Sequence, residues 1–200
     1  LARDEPDTAL RHVLDRTPFP SFCACLCRHP CQAACLLGAG VRPVAIRHLV
    51  RHAIERARPA AARPVPPPSG RRVAVVGGGP SGLAAAYALG LAGHRVTVLD
   101  RADRPGGTAG GAIPTFRLPD ALLRQDLDRV FGAGVVLKTG FRLGRDFTLD
   151  DLVDDGFDAI LLALGLERPP PLHVNGDDLE GVIGGVDFLE QARSSSPRSL

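Results

Sequence analysis

The sequence predicts an α/β protein: a parallel sheet of Rossmann type, preceded by a small, all-helical, cysteine-rich domain. Three observations carry this expectation. A β-branched run, RVAVVG at 72–77, leads straight into Gly77-x-Gly79-x-x-Gly82 and then into an apolar stretch of helical character. A proline-rich connector, RPAAARPVPPPSG at 58–70, suits neither a core helix nor a central strand, and so divides the chain. All five cysteines lie before that connector, at 23, 25, 27, 31 and 35.

Taken in order, PDTALRHVLDRTPFP at 6–20 reads as a short helix that ends before Pro18. Residues 44–57 place Ile46, Leu49, Val50, Ala53 and Ala57 at helical spacing, with arginines opposite. Beyond the connector, RVAVVG suits a strand buried on both faces. SGLAAAYALGLAG is helical and closes on Gly93, a residue suited to ending a helix. RVTVLD at 95–100 is a second strand. LPDALLRQDLDRVFGAG at 118–134 is a helix with Pro119 near its start and glycine at its end. GVVLKTG and FDAILLALG read as further strands. Strand, helix, strand at this spacing implies parallel pairing through a right-handed crossover. The tail ARSSSPRSL has a disordered composition. The expected units are a helical cysteine-rich domain at 1–58, a linker at 59–70, a nucleotide-binding domain at 71–190 and a tail at 191–200.

Composition is that of a globular protein: of 200 residues, 44% are apolar and 23% charged, and aromatics are only 4%, so Leu, Val and Ala must fill the core. The net charge of +2 is spread over single arginines, which speaks against a nucleic-acid partner. No apolar stretch is long enough to span a bilayer, and no export signal is visible. Cysteines clustered within thirteen residues suit metal ligation in a reducing, cytoplasmic setting better than a disulfide framework. The chain begins at Leu1 and has no Met, so it is expected to be a fragment, truncated at both ends.

The glycine turn has a direct physical reading. Gly77 permits the tight turn, Gly79 lets backbone approach a pyrophosphate, and Gly82 brings the helix against the sheet. Pro80 and Ser81 open the helix, whose free N–H groups and positive dipole end face the phosphates. Asp100 ends the second strand eighteen residues after Gly82, where its carboxylate can accept hydrogen bonds from ribose hydroxyls. A 2′-phosphate beside that carboxylate would be repelled, so FAD or NAD is favoured over NADP at this turn.

Which dinucleotide binds is suggested by the residues that follow. Asp100, Arg104-Pro105-Gly106-Gly107, Ile113-Pro114 and Arg117-Leu118-Pro119 resemble the small (beta) subunit of NADPH-dependent glutamate synthase, and also the N-terminal part of dihydropyrimidine dehydrogenase. The resemblance runs from about Phe19 to Leu189. It implies FAD in the glycine turn, with Gly77, Gly79, Pro80, Ser81, Gly82, Asp100, Gly107 and Arg117 as contacts and Leu143 and Gly165 lining the same groove. It further implies NADPH bound elsewhere in a longer parent, 4Fe–4S clusters, and an electron-accepting partner subunit or domain. Two departures are visible: Thr108 to Ala112 is small where the family is bulky, and Leu164 stands where the family has Thr.

Cys23, Cys27, Cys31 and Cys35 are spaced four apart, with Cys25 extra. On one continuous helix they would form a drifting stripe, which cannot wrap a cube, so Pro30 is expected to break the helix. The resemblance makes Cys27, Cys31 and Cys35, with Cys23 behind them, part of an iron–sulfur ligand set. The rest of that set would lie upstream, and its further Glu or Gln falls at Val50, which cannot ligate. Zinc, with His29 joining, and a metal-free remnant are the rival readings. The functional expectation is the FAD-binding portion of an NAD(P)H-dependent oxidoreductase that relays electrons to a partner. This chain alone is expected to bind FAD weakly or not at all. The alternatives are a non-catalytic nucleotide-binding scaffold and an ordinary NAD-binding dehydrogenase domain.

Overall fold

The computed structural model describes residues 5–40, 42–58, 66–166 and 173–194. Four parallel strands form one sheet: β1 (Arg72–Val76), β2 (Arg95–Asp100), β3 (Val136–Thr139) and β4 (Ala159–Leu162), in the order β3-β2-β1-β4. Central strand β1 pairs Val75 with Val98 on one side and with Leu161 on the other. Both faces of β1 are covered, as its unbroken apolar run predicts. Val73 and Val75 pack with Val96 and Val98 under α5 (Pro80–Leu91) and α7 (Asp120–Phe131), through Leu83, Ala86, Tyr87, Leu123, Leu127 and Val130. Ala74, Val76 and Leu99 face the other way, onto Leu152 of α8 (Leu149–Asp154). Fully buried side chains such as Val75 and Val98 each contribute about 1.5–3 kcal/mol by leaving water. β4 is an edge strand, and its Leu161 and Leu162 stay partly exposed.

Helix α5 lies close to the sheet because its inner face is small. Gly82, Ala86 and Gly90 recur every four residues and all are buried. A Cβ on Gly90 would meet the Ala133 carbonyl oxygen at 2.5 Å, and Gly93 ends the helix at φ +82°.

Before the sheet the described residues form four short α-helices, α1 (Pro6–Leu14), α2 (Pro20–Leu26), α3 (Pro30–Ala33) and α4 (Ile46–Arg56), with a 3-10 turn at Leu36–Ala39. The first three open on proline, whose fixed φ and missing N–H suit a first helical position. Leu10 and Leu14 of α1 close on Ala53, with Ile54 and Ala57 beside it. Of the stripe its spacing suggests, Ala53 is buried and Ile46, Val50 and Ala57 are half-buried; Leu49 is exposed, and Ile54 joins the contact with α1 instead.

Three helices were not expected from the sequence. The small-residue stretch after Gly107 forms α6 (Thr108–Gly111). Helix α8 begins with a reciprocal cap in which the Thr148 N–H donates to Asp151 at 2.7 Å and the Asp151 N–H donates to the Thr148 hydroxyl at 3.2 Å. Helix α9 (Gly185–Ser194) extends into the stretch expected to be a disordered tail. It is tied down by Arg193, which donates to the Ile113 carbonyl and to Asp120. Most of the expected linker, 59–65, and residues 195–200 of the tail lie outside the described residues. No helix among the described residues is long and apolar enough to cross a membrane.

Candidate functional site: a glycine cradle at the sheet's switch point

The chain leaves β1 toward β2 and β3 on one side, then returns to place β4 on the other. That reversal opens a crevice beyond the carboxyl ends of β1 and β4, where doubly wound sheets bind ligands. The glycine turn sits there. Gly77 adopts φ +116°, and a Cβ on it would run into the Ala163 carbonyl at the end of β4. A Cβ on Gly82 would run into the carbonyl of Gly77. Both glycines are thus demanded by the protein's own backbone.

Gly79 differs. Its φ of −78° is open to any residue, and among the described residues a Cβ there would meet only the Gly107 Cα, at 3.9 Å. The loop carrying Arg104-Pro105-Gly106-Gly107 is laid against the turn: the Gly106 N–H donates to the Gly78 carbonyl at 2.8 Å. A Cβ on Gly107, at φ +54°, would meet the Gly79 Cα at 2.8 Å. Pro80 and Ser81 occupy the first turn of α5, which has no side-chain cap and no acidic residue, so its leading N–H groups are left for a ligand.

Asp100 is buried behind this turn. One carboxylate oxygen accepts from the Gly78 N–H, the other from the Ala102 N–H at 2.7 Å. The carboxylate therefore shapes the glycine turn as well as facing it. Each oxygen keeps a lone pair for a further donor.

The remaining expected contacts scatter. Arg117 is exposed and, among the described residues, its guanidinium has no partner. Gly165 stands in open space at the end of β4, beside the crevice. Leu143 bridges to Phe147 and, half-buried, packs against the small core around Leu152.

The cysteine run does break, but at 27–29, ahead of Pro30. Cys27 is extended, His29 is left-handed at φ 48°, and α3 starts afresh at Pro30. The His29 N–H donates to the Cys27 sulfur at 3.3 Å, and Arg47 reaches the Cys27 carbonyl at 3.3 Å. Cys25 packs against the main core, and Cys31 is exposed. Burial pushes the Cys23 and Cys25 thiols up, whereas backbone N–H groups of Val44, Leu37 and Gly38 draw Cys35 down. Among the described residues, no three Cys, His, Asp or Glu side chains converge as metal ligands. The set Cys23, Cys27, Cys31 and Cys35 does not fit a cluster as it stands.

One residue of consequence escaped the sequence reading. Asp126 is fully buried on α7, between Leu123, Leu127 and Val130. Its signal was a lone acid on an otherwise apolar helical face.

Comparison with known proteins agrees with the geometry. A family described as NAD(P)-binding Rossmann-like domain matches residues 75–142, which include the turn and its covering loop. The glutamate synthase (NADPH) small chain of Mycobacterium tuberculosis is 40% identical over 177 residues, covering 87% of this chain and 36% of that protein. The NADPH-Fe(3+) oxidoreductase subunit beta of Geobacter sulfurreducens is 37% identical over 204 residues, covering 97% and 30%. Among solved structures, Mycobacterium tuberculosis FprA in complex with NADPH aligns with a TM-score of 0.54 at 23% identity, over 64% of this chain and 29% of that one, a likeness of fold. By fold, by glycine turn and by sequence, the chain is a homologue of the glutamate synthase small chain and the NADPH-Fe(3+) oxidoreductase beta subunit, and spans about a third of the length of each.

Proposed function

We propose that the cradle binds the pyrophosphate and ribose of FAD, and that the chain is the FAD-binding portion of an NAD(P)H-dependent oxidoreductase passing electrons to a partner subunit. The observation that carries this is the contrast at Gly79: nothing among the described residues requires glycine there, whereas a phosphate approaching the backbone does. The first-turn N–H groups of α5 hold the pyrophosphate, and the helix dipole favours its charge. Asp100 accepts from ribose hydroxyls with its remaining lone pairs. Arg117, exposed and unpaired among the described residues, is available to a phosphate or ring oxygen. Bound there, a flavin supplies hydride acceptance from a reduced nicotinamide and release of single electrons. No step is assigned to an iron–sulfur cluster, because the described cysteines do not converge. The names of both relatives support the oxidoreductase reading, since each specifies NADPH and a chain or subunit of a larger enzyme.

The NAD(P)-binding description of the matching family favours a second occupant, a nicotinamide dinucleotide in the same turn. Calorimetric titration with FAD and with NAD⁺ separates the two. The expected result is weak, saturable FAD binding, tighter than NAD⁺ by about tenfold, a difference of about 1.4 kcal/mol. Gly79→Ala should abolish it without altering the circular dichroism spectrum. A folded wild-type chain that ignores millimolar FAD, or a Gly79→Ala chain that binds as well as wild type, overturns the proposal.

A further inference from the structure

Between the cysteine helices and the sheet lies a buried carboxylate with a full set of donors. Asp126 accepts from the Ser21 N–H at 3.1 Å, the Ser21 hydroxyl at 2.9 Å, the Phe22 N–H at 3.1 Å and Arg129 at 3.0 Å. The same Arg129 nitrogen donates to the Pro18 carbonyl at 3.0 Å. Two residues one turn apart on α7 thus grip both sides of the entry into α2. Ser21 and Asp126 are both buried, and Arg129 closes the outer side with its side chain 20% exposed.

We propose that Asp126, with Arg129, is a positioning pair that fixes the register of cysteine-bearing α2 on α7, and so sets where Cys23, Cys25 and Cys27 stand relative to the nucleotide cradle. The argument is one of specificity. Phe22, Cys25 and Leu26 pack against the main core, but apolar contact alone tolerates sliding and rotation. A carboxylate receiving two consecutive backbone N–H groups and a hydroxyl does not: moving α2 by one residue strands a buried charge, which is strongly unfavourable. The grip is continuous with the main core. On the sheet-facing side of α7, Leu123, Leu127 and Val130 are buried in the core shared with Leu83 of α5, the helix that starts at the cradle. On the other side Cys27 follows directly, its N–H donating to the Cys23 carbonyl at 3.2 Å. A carboxylate at this position has no part in holding a nucleotide, which explains why it lies outside the glycine turn and yet is buried completely. The functional meaning of this geometry rests on the reading that the cysteine segment and the cradle serve one electron path.

The test uses the whole chain and its own thiols. Cys25 is packed on the core and depends on α2 being seated, whereas Cys31 is exposed on α3 and does not. Alkylation by N-ethylmaleimide, followed residue by residue with mass spectrometry, should label Cys31 well before Cys25. Asp126→Ala is expected to raise the Cys25 rate by about tenfold or more and to leave Cys31 within about twofold, as local release of one helix requires. Ser21→Ala, which keeps the carboxylate and its two N–H donors, should raise the Cys25 rate by about two- to fivefold. Asp126→Asn should fall between them. Amide exchange of Ser21 and Phe22 should rise in parallel while the amides of β1 stay protected, a pattern that general destabilisation does not produce. A Cys25 rate within about twofold of wild type in folded Asp126→Ala overturns the proposal; if that variant does not fold, the same result in Ser21→Ala does so. FAD titration of the wild type is read separately: its failure sinks the cradle assignment and leaves the alkylation rates to judge the latch.

Discussion

The two halves of the molecule build their sites in opposite ways. The cradle is made of backbone: Gly77, Gly79 and Gly82 lie within six consecutive residues, and strand β1 and helix α5 on either side hold them rigid. The cysteine segment relies on side chains carried by α2, α3, the turn between them and the stretch just after α3, which are short and partly exposed. A contiguous backbone site is complete wherever its strand and helix fold. A convergent side-chain site is complete only when every contributing segment is present, and the cysteines here do not meet among the described residues.

That contrast can be broken by mutation. The largest effect is expected from Gly82→Val, whose Cβ drives into the Gly77 carbonyl: about 3 kcal/mol of stability should be lost. Urea unfolding followed by Tyr87 fluorescence measures it, because Tyr87 is the only tyrosine, is buried on α5, and the chain has no tryptophan. Leu14→Ala removes half the apolar grip of α1 on Ala53 and should cost about 2 kcal/mol. Its damage should stay local: amide exchange should quicken in α1 and α4 but not in β1 or β2, and global loss of protection would show the two halves to be one cooperative unit. Gly79→Ala should change stability by less than about 0.5 kcal/mol, in the same urea assay, while removing nucleotide binding. Equal damage to fold and to binding would erase the distinction between architectural and ligand-facing glycines.

The smallest effect is electrostatic. The Arg72 N–H and then the Arg71 guanidinium, bonded at 2.8 and 2.7 Å, hold the Asp158 carboxyl below its ordinary range. A lowered folded value means stability that is present above the unfolded carboxylate range and is lost as pH falls through the folded value. Asp158→Asn should therefore be slightly less stable at neutral pH and indistinguishable from wild type in strong acid. Thermal melts across that range decide it, and a deficit that persists in acid would assign the loss to packing.

How much of this was legible follows from how local each feature is. The four strands, α5 and α7 announced themselves by apolar period and by glycine or proline at their ends, because those signals lie within the element itself. Helix α8 carried a Thr148-x-x-Asp151 start signal that went unread. Helix α9 was hidden behind a serine-rich stretch and is secured by Arg193 reaching residues some 80 positions away, which no local pattern records. Leu143 was expected at the groove; that its loop pairs it with Phe147 and packs it against Leu152 is a contact no local pattern records. The turn itself was legible in the glycine spacing, but only packing shows that Gly77 and Gly82 answer to Ala163 and to each other, while Gly79 answers to neither. Asp126 stood out as an acid on an apolar helical face, but its partners, more than 100 residues earlier, are recorded by no local pattern.

This division of labour among the glycines bears on descent. A lineage that abandoned its ligand would still need bare positions at 77 and 82 to close its core, so most of the fingerprint would outlive the activity that made it recognisable. Position 79 alone is free to drift, and a side chain there in some related gene would mark a scaffold that has kept its shape and retired from its trade.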